Sequence, residues 1–117
     1  MLLSTDGQKQ FFIRAMRYSD IDLVVKNELA AYAYPWSKRN FIDCLQSGYQ
    51  CWVFATKEEI VAHGVLSASI GESHLLTLCV HPDHQRHGYG RRILNLLMER
   101  AYRLDSAECF LEVRTKN

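Results

Sequence analysis

The stretch CVHPDHQRHGYGRRIL, residues 79–94, constrains this fold more than any other feature. An apolar run closes at Val80, Pro82 imposes a turn, and a helical pattern begins shortly afterwards. Ile93, Leu94, Leu97, Ala101 and Leu104 recur at helical spacing, with Arg92, Asn95, Glu99 and Arg103 facing away. Gly88 and Gly90 sit in the connection itself, among Arg86, His87, Arg91 and Arg92. A strand that hands over to an amphipathic helix must pack that helix back onto a sheet. The chain therefore belongs to the α/β (α+β) class.

The rest of the chain fills in that architecture. Phe11 to Met16 is a β-rich run and reads as the first strand. SDIDLVVKNELAAYA reads as a helix capped by Ser19, with Ile21, Val24, Val25, Leu29 and Ala33 on its inner face and Pro35 ending it. Ser37 is placed to cap a second helix that turns Phe41, Cys44 and Leu45 inward and closes at Gly48. YQCWVFAT and IVAHGVLSASI then predict a hairpin about the charged turn Lys57-Glu58-Glu59, with Gly64 marking a bulge. HLLTLCV pairs back through Gly71, and ECFLEV supplies a final strand. The order β-α-α-β-β-β-α-β implies a mixed, mostly antiparallel sheet with helices on both faces.

Composition narrows the function classes. A length of 117 residues without repeat or linker predicts a single domain over residues 1–117. The formal charge of +1 argues against direct nucleic-acid binding, so any cationic surface must be local. No stretch approaches the ~20 apolar residues of a membrane span, and Met1 to Gln10 lacks the pattern of a signal peptide. Cys44, Cys51, Cys79 and Cys109 are widely spaced without a CxxC pair, which reads as reduced, mostly buried thiols in a cytoplasmic protein.

The glycine turn carries the clearest chemistry. A helix N-terminus presents unpaired N–H groups and favours negative charge, and glycines let an anion approach the main chain. Arginines alongside add charge-assisted bonds to phosphate oxygens. The segment from Arg86 to Arg91 thus suits a pyrophosphate, although solvated bases around a tight connection have the same composition. It is neither a Walker loop nor a Rossmann fingerprint.

QRHGYG, with its preceding strand and V-x-P turn, resembles the Q/R-x-x-G-x-G/A signature of the Gcn5-related N-acetyltransferases (GNAT). AYPWS followed by Phe41, and LEVRTKN at residues 111–117, are similar to the ribosomal-protein alanine N-acetyltransferases of the RimI type. The resemblance runs from Phe11 onward and implies a GNAT-like sheet with acetyl-CoA as cosubstrate and no metal. It implies that Arg86, His87, Gly88, Tyr89, Gly90 and Arg91 cradle the pyrophosphate. It further implies that the backbone of Leu78, Cys79 and Val80 holds the pantetheine arm and the thioester, that Asn117 contacts the cofactor, and that Pro35 and Trp36 border a substrate loop.

By the same resemblance Glu112 is the general base for acetyl transfer to an amine. On the residues alone, a Glu on the outer face paired with Arg114 is the favoured account. The implied acceptor is a protein N-terminus or peptide, the N-terminal alanine of a small-subunit ribosomal protein above all, with lysine or small amines and a non-catalytic acyl-CoA-binding module as alternatives. An α-amine has a pKa of about 8 against about 10.4 for lysine, so its neutral fraction is the larger. The family continues through a further helix, with the tyrosine that acts as acid, and more strands. The expectation is a domain that is incomplete at its C-terminal end, either part of a longer protein or completed by exchange of terminal strands in a dimer.

Other features lend themselves less to chemistry. His81, His84 and His87 are spaced across a Pro turn rather than along a helix face, which argues against a metal site. Cys79 lacks a neighbouring base to make it a nucleophile and reads as a small strand residue beside the thioester. Trp36 can shape a substrate loop or pin the two helices together.

Overall fold

The computed structural model describes residues 2–6, 9–104 and 108–111. A six-stranded sheet has its strands in chain order: β1 (Leu2–Asp6), β2 (Lys9–Ala15), β3 (Gln50–Ala55), β4 (Ile60–Ser69), β5 (Glu72–Val80) and β6 (Glu108–Leu111). All neighbours are antiparallel except β5 and β6, which pair in parallel through the crossover helix α3 (Tyr89–Arg103). Helices α1 (Ile21–Ala31) and α2 (Lys38–Gln46) lie between β2 and β3 in the chain. The expected elements are all present, and β1 is an addition: residues 2–6 pair with β2 although their sequence carries little strand signal.

The sheet is covered on both faces. Phe11, Phe54, Ala62, Leu66, Tyr89, Ile93 and Leu97 form one core beneath α3. Ile21, Val24, Phe41, Cys51, Val53 and Val65 form the other beneath α1 and α2. The central strand β4 is consequently buried without a break from Ile60 to Leu66, which explains its unbroken apolar run. Where α3 crosses it, a Cβ on Gly64 would stand 2.8 Å from Ile93 and 2.9 Å from Leu97. Gly64 is thus a site of close helix approach rather than the expected bulge, which lies between Val65 and Leu66 in the pairing with β5.

Local signals in the turns hold up. Thr56 and Glu59 close the β3–β4 hairpin around Lys57 and Glu58. Gly71 adopts φ 91° between β4 and β5. Ser37 caps α2 by accepting from the Asn40 amide at 3.3 Å, and Gly48 closes it at φ 76°. Helix α1 departs from expectation. A 3-10 turn at Tyr18–Asp20 precedes it, so Ser19 is not its cap, and it ends at Ala31 rather than running to Pro35. Its buried face carries Ile21, Val24, Asn27, Glu28 and Ala31, while Leu29 is 62% exposed and Ala33 is exposed. Cys44, Cys51 and Cys79 are buried free thiols, and Cys109 is exposed. No helix among the described residues is long and apolar enough to cross a membrane.

Candidate active site

Strand β5 delivers the chain to the glycine turn. His81 donates its amide to Val61 at 2.8 Å, and Pro82–His84 forms a 3-10 turn. The Gln85 side chain then donates to the Val80 carbonyl at 3.1 Å. Arg86 adopts φ 71° and Gly88 φ 80°. The left-handed backbone costs an ordinary residue about 1–2 kcal/mol, so two such residues mark a turn held by its surroundings. A Cβ at Gly88 would meet nothing within 4 Å. Glycine is needed there for its backbone, and the space beside it is open. As N-cap of α3, Gly88 offers no side-chain acceptor to the first-turn amides of the helix.

Those amides open onto a groove of about 380 Å³ lined by Tyr32, Leu78, Val80, His84, Gln85, Arg86, Gly88, Tyr89, Gly90 and Arg91. Most residues expected at the turn therefore come together here. Tyr89 lines the groove, but its ring is core, stacked 4.7 Å from Phe54 and 5.2 Å from Phe11. His87 stacks on Tyr89 at 5.4 Å and is not among the lining residues; His84 is, with its Nε2 3.3 Å from Glu59. Cys79 turns its thiol away, into the α1 side, where it donates to the Asn27 carbonyl at 3.5 Å. Strand β6 pairs with β5 only over Glu72–Leu75. Among the described residues, no strand covers that side of residues 76–80. Glu112 and Asn117 lie outside the described residues.

The profile of the acetyltransferase (GNAT) family matches residues 18–117. The chain belongs to that family. It is an N-acetyltransferase with acetyl-CoA as donor. It is 28% identical over 105 residues to the [ribosomal protein bS18]-alanine N-acetyltransferase of Escherichia coli, covering 90% of this chain and 71% of that protein. The putative enzyme of that name from Bacillus subtilis is 22% identical, with the same coverage. The crystal structure of the E. coli ribosomal-protein-S18-alanine N-acetyltransferase superposes with a TM-score of 0.80 at 27% identity, over 90% of this chain and 68% of that one. A GNAT acetyltransferase from Brucella melitensis in complex with acetyl-CoA shares the fold, with a TM-score of 0.72 at 18% identity over 90% of this chain and 77% of that one.

The groove of this acetyltransferase fits an acyl-CoA on its own geometry. A helix N-terminus offers the donors that a pyrophosphate demands, Arg86 and Arg91 would add cations, and the open space beside Gly88 would let phosphate reach the main chain. The side of residues 76–80 that no described strand covers can take an extended polar arm by backbone pairing.

A second cluster lies on the other face of β5, and hydrophobic periodicity concealed it. Glu28 is 0% exposed. One carboxylate oxygen accepts the Trp36 amide at 3.0 Å. The other accepts the Thr77 hydroxyl at 2.8 Å and meets Nε2 of His63, also fully buried, at 2.8 Å. Phe41 meets the His63 ring edge-on at 5.5 Å, and Asn27 donates to the Ile60 carbonyl at 2.9 Å. Trp36 itself packs 5.2 Å from Phe41. It does join α1 to α2, through its ring to one and its amide to the other. Tyr32, Gln85, His84 and Glu28 were not among the site residues expected from the sequence. Only Glu28 left a trace there, as a carboxylate on the buried stripe of α1.

Proposed function

We propose that this acetyltransferase modifies the α-amine of a protein N-terminus, with the N-terminal alanine of a small-subunit ribosomal protein as acceptor and a cytoplasmic site of action. The relatives named for that activity support the acceptor. The observation that carries the reading is the placement of the Pro35–Trp36 loop, which is one carboxylate away from β5 while the opposite side of β5 meets the anion groove. Donor and acceptor then approach the same strand from different elements.

In this reading Arg86, Arg91 and the amides from Gly88 to Arg91 hold the phosphates, the backbone of Leu78, Cys79 and Val80 holds the pantetheine arm, and Asn117 adds a contact. The amine nitrogen attacks the thioester carbonyl carbon. The backbone N–H near Cys79 polarises that carbonyl, and Glu112 takes the proton the nitrogen loses. Collapse of the tetrahedral adduct breaks the C–S bond and releases a thiolate, which a thiol pKa near 8.5 makes tolerable as a leaving group. The acetylated amine and the free thiol balance the reaction.

Calorimetric titration with acetyl-CoA, beside Gly88→Glu, is the first test. Saturable binding lost in the variant is expected, because the new carboxylate would stand in the anion seat. Acetylation of an alanine-first peptide in preference to lysine or a polyamine is expected next. Preference for the small amines would overturn the acceptor assignment, and full activity in Glu112→Gln would overturn the base.

A further inference from the structure

The Glu28 cluster is not used by any step above. A buried carboxylate with three donors is unusual on a mostly apolar stripe, and an unpaired charge there would be costly. Its three partners come from three separate stretches of the chain. Glu28 stands on α1, Trp36 begins the approach to α2, His63 is on β4, and Thr77 is on β5 immediately before Leu78, Cys79 and Val80. Two short bonds therefore connect the loop at Trp36 with the strand segment that carries the thioester in the reading above. Cys79 brings its thiol within 4.8 Å of the ligand atoms of Glu28 and His63. A cation there would have to displace both donors from one carboxylate oxygen, so the arrangement is better accounted for as a hydrogen-bonded tie.

We propose that Glu28 is a positioning residue that sets the distance and angle of the acceptor loop at Pro35–Trp36 against strand β5, acting through the Trp36 amide and the Thr77 hydroxyl. It touches no reacting atom. Its effect falls on the acceptor and not on the donor, because the groove is lined by Tyr32, Leu78, Val80 and the turn at residues 84–91, and none of Glu28, Trp36, His63 or Thr77 lines it. The proposal rests on the reading that Pro35–Trp36 borders the acceptor.

The test measures acceptor KM for an alanine-first peptide and, separately, acetyl-CoA Kd by calorimetry, in the full chain. Glu28→Ala is expected to raise the acceptor KM about tenfold, the scale of losing a charge-assisted hydrogen bond, with acetyl-CoA Kd unchanged within about twofold. Glu28→Gln retains an acceptor for the Trp36 amide and is expected to restore most of the KM. Thr77→Val, which removes one donor at constant shape, is expected to raise KM about threefold and decides the matter should Glu28→Ala fail to fold. A folded variant with wild-type acceptor KM, or with donor Kd weakened by the same factor, overturns the proposal, since a purely structural carboxylate would lower thermal stability alone. A wild-type chain that binds acetyl-CoA but acetylates no peptide overturns the functional reading instead.

Discussion

The hydroxyl of Tyr32 donates to the main-chain carbonyl of Leu78 at 2.5 Å, joining the residue after helix α1 to the strand that borders the groove at the glycine turn. This bond takes up an acceptor on the stretch of β5 that would pair with the pantetheine arm. Tyr32→Phe is expected to leave the fold intact and to tighten acetyl-CoA binding severalfold, because the net value of such a bond is about 1 kcal/mol. Calorimetry measures it directly. Weaker binding in the variant would mean that the hydroxyl contacts the cofactor itself.

Helix α3 rests on Gly64. Because a Cβ there would come within 2.8 Å of Ile93 and 2.9 Å of Leu97, Gly64→Ala is expected to destabilise the protein by about 1–3 kcal/mol through overpacking. Denaturant unfolding reads the loss. A Leu97→Ala background should recover part of it by making room, so non-additivity of the pair is the decisive number.

Asp20 ties the end of β2 to the start of α1. It accepts from both terminal nitrogens of Arg14, at 2.7 and 2.9 Å, and from the Arg17 amide at 2.7 Å. Burial pushes its pKa up, but the bonds to Arg14 and Arg17 and their positive charges outweigh that and hold it below the ordinary 3.8. A folded pKa below the unfolded one means that the stabilisation is complete above the unfolded value and is lost as pH falls through the folded value. Stability is thus expected to drop with acid from about pH 4 downward. Asp20→Asn should lose about 1–3 kcal/mol at neutral pH and show a shallower acid dependence. Equal slopes for the two proteins would remove Asp20 from the explanation.

The thiols differ sharply in reach. Burial, with a smaller contribution from Cys44, pushes the Cys51 thiol up to about 12, and Cys44 and Cys79 are buried as well. Iodoacetamide on the native protein is expected to label Cys109 alone, slowly because its thiol is also raised above the ordinary value by burial, and all the cysteines after denaturation. Peptide mass mapping checks this, and labelling of Cys51 without unfolding would contradict the core described above.

Much of this fold was written in short stretches. Pro82, Gly88 and Gly90 announce the strand-to-helix turn because backbone geometry there is a property of a few adjacent residues. Ser37, Gly48 and Gly71 announce caps and turns for the same reason. The family signature was legible because it resides in one segment, whereas the groove beside it also takes Tyr32 from the end of α1, which that segment does not contain. The strand at Leu2–Asp6 was not, because its residues become a strand only by pairing with Lys9–Ala15 and carry little preference of their own.

The site on the far face of β5 was decided elsewhere. Leu29 read as core, and Asn27 and Glu28 were not placed on the inner face, because periodicity assigns burial by polarity. The assembled sheet reverses this by bringing His63 and Thr77, 35 and 49 positions away, up to one carboxylate. By itself the sequence determined the turns and caps, the order of the elements and the place of the glycine turn between strand and helix. Tertiary structure alone decided which polar groups are buried and what satisfies them, because hydrogen-bond partners distant in the chain meet only once the strands and helices have packed.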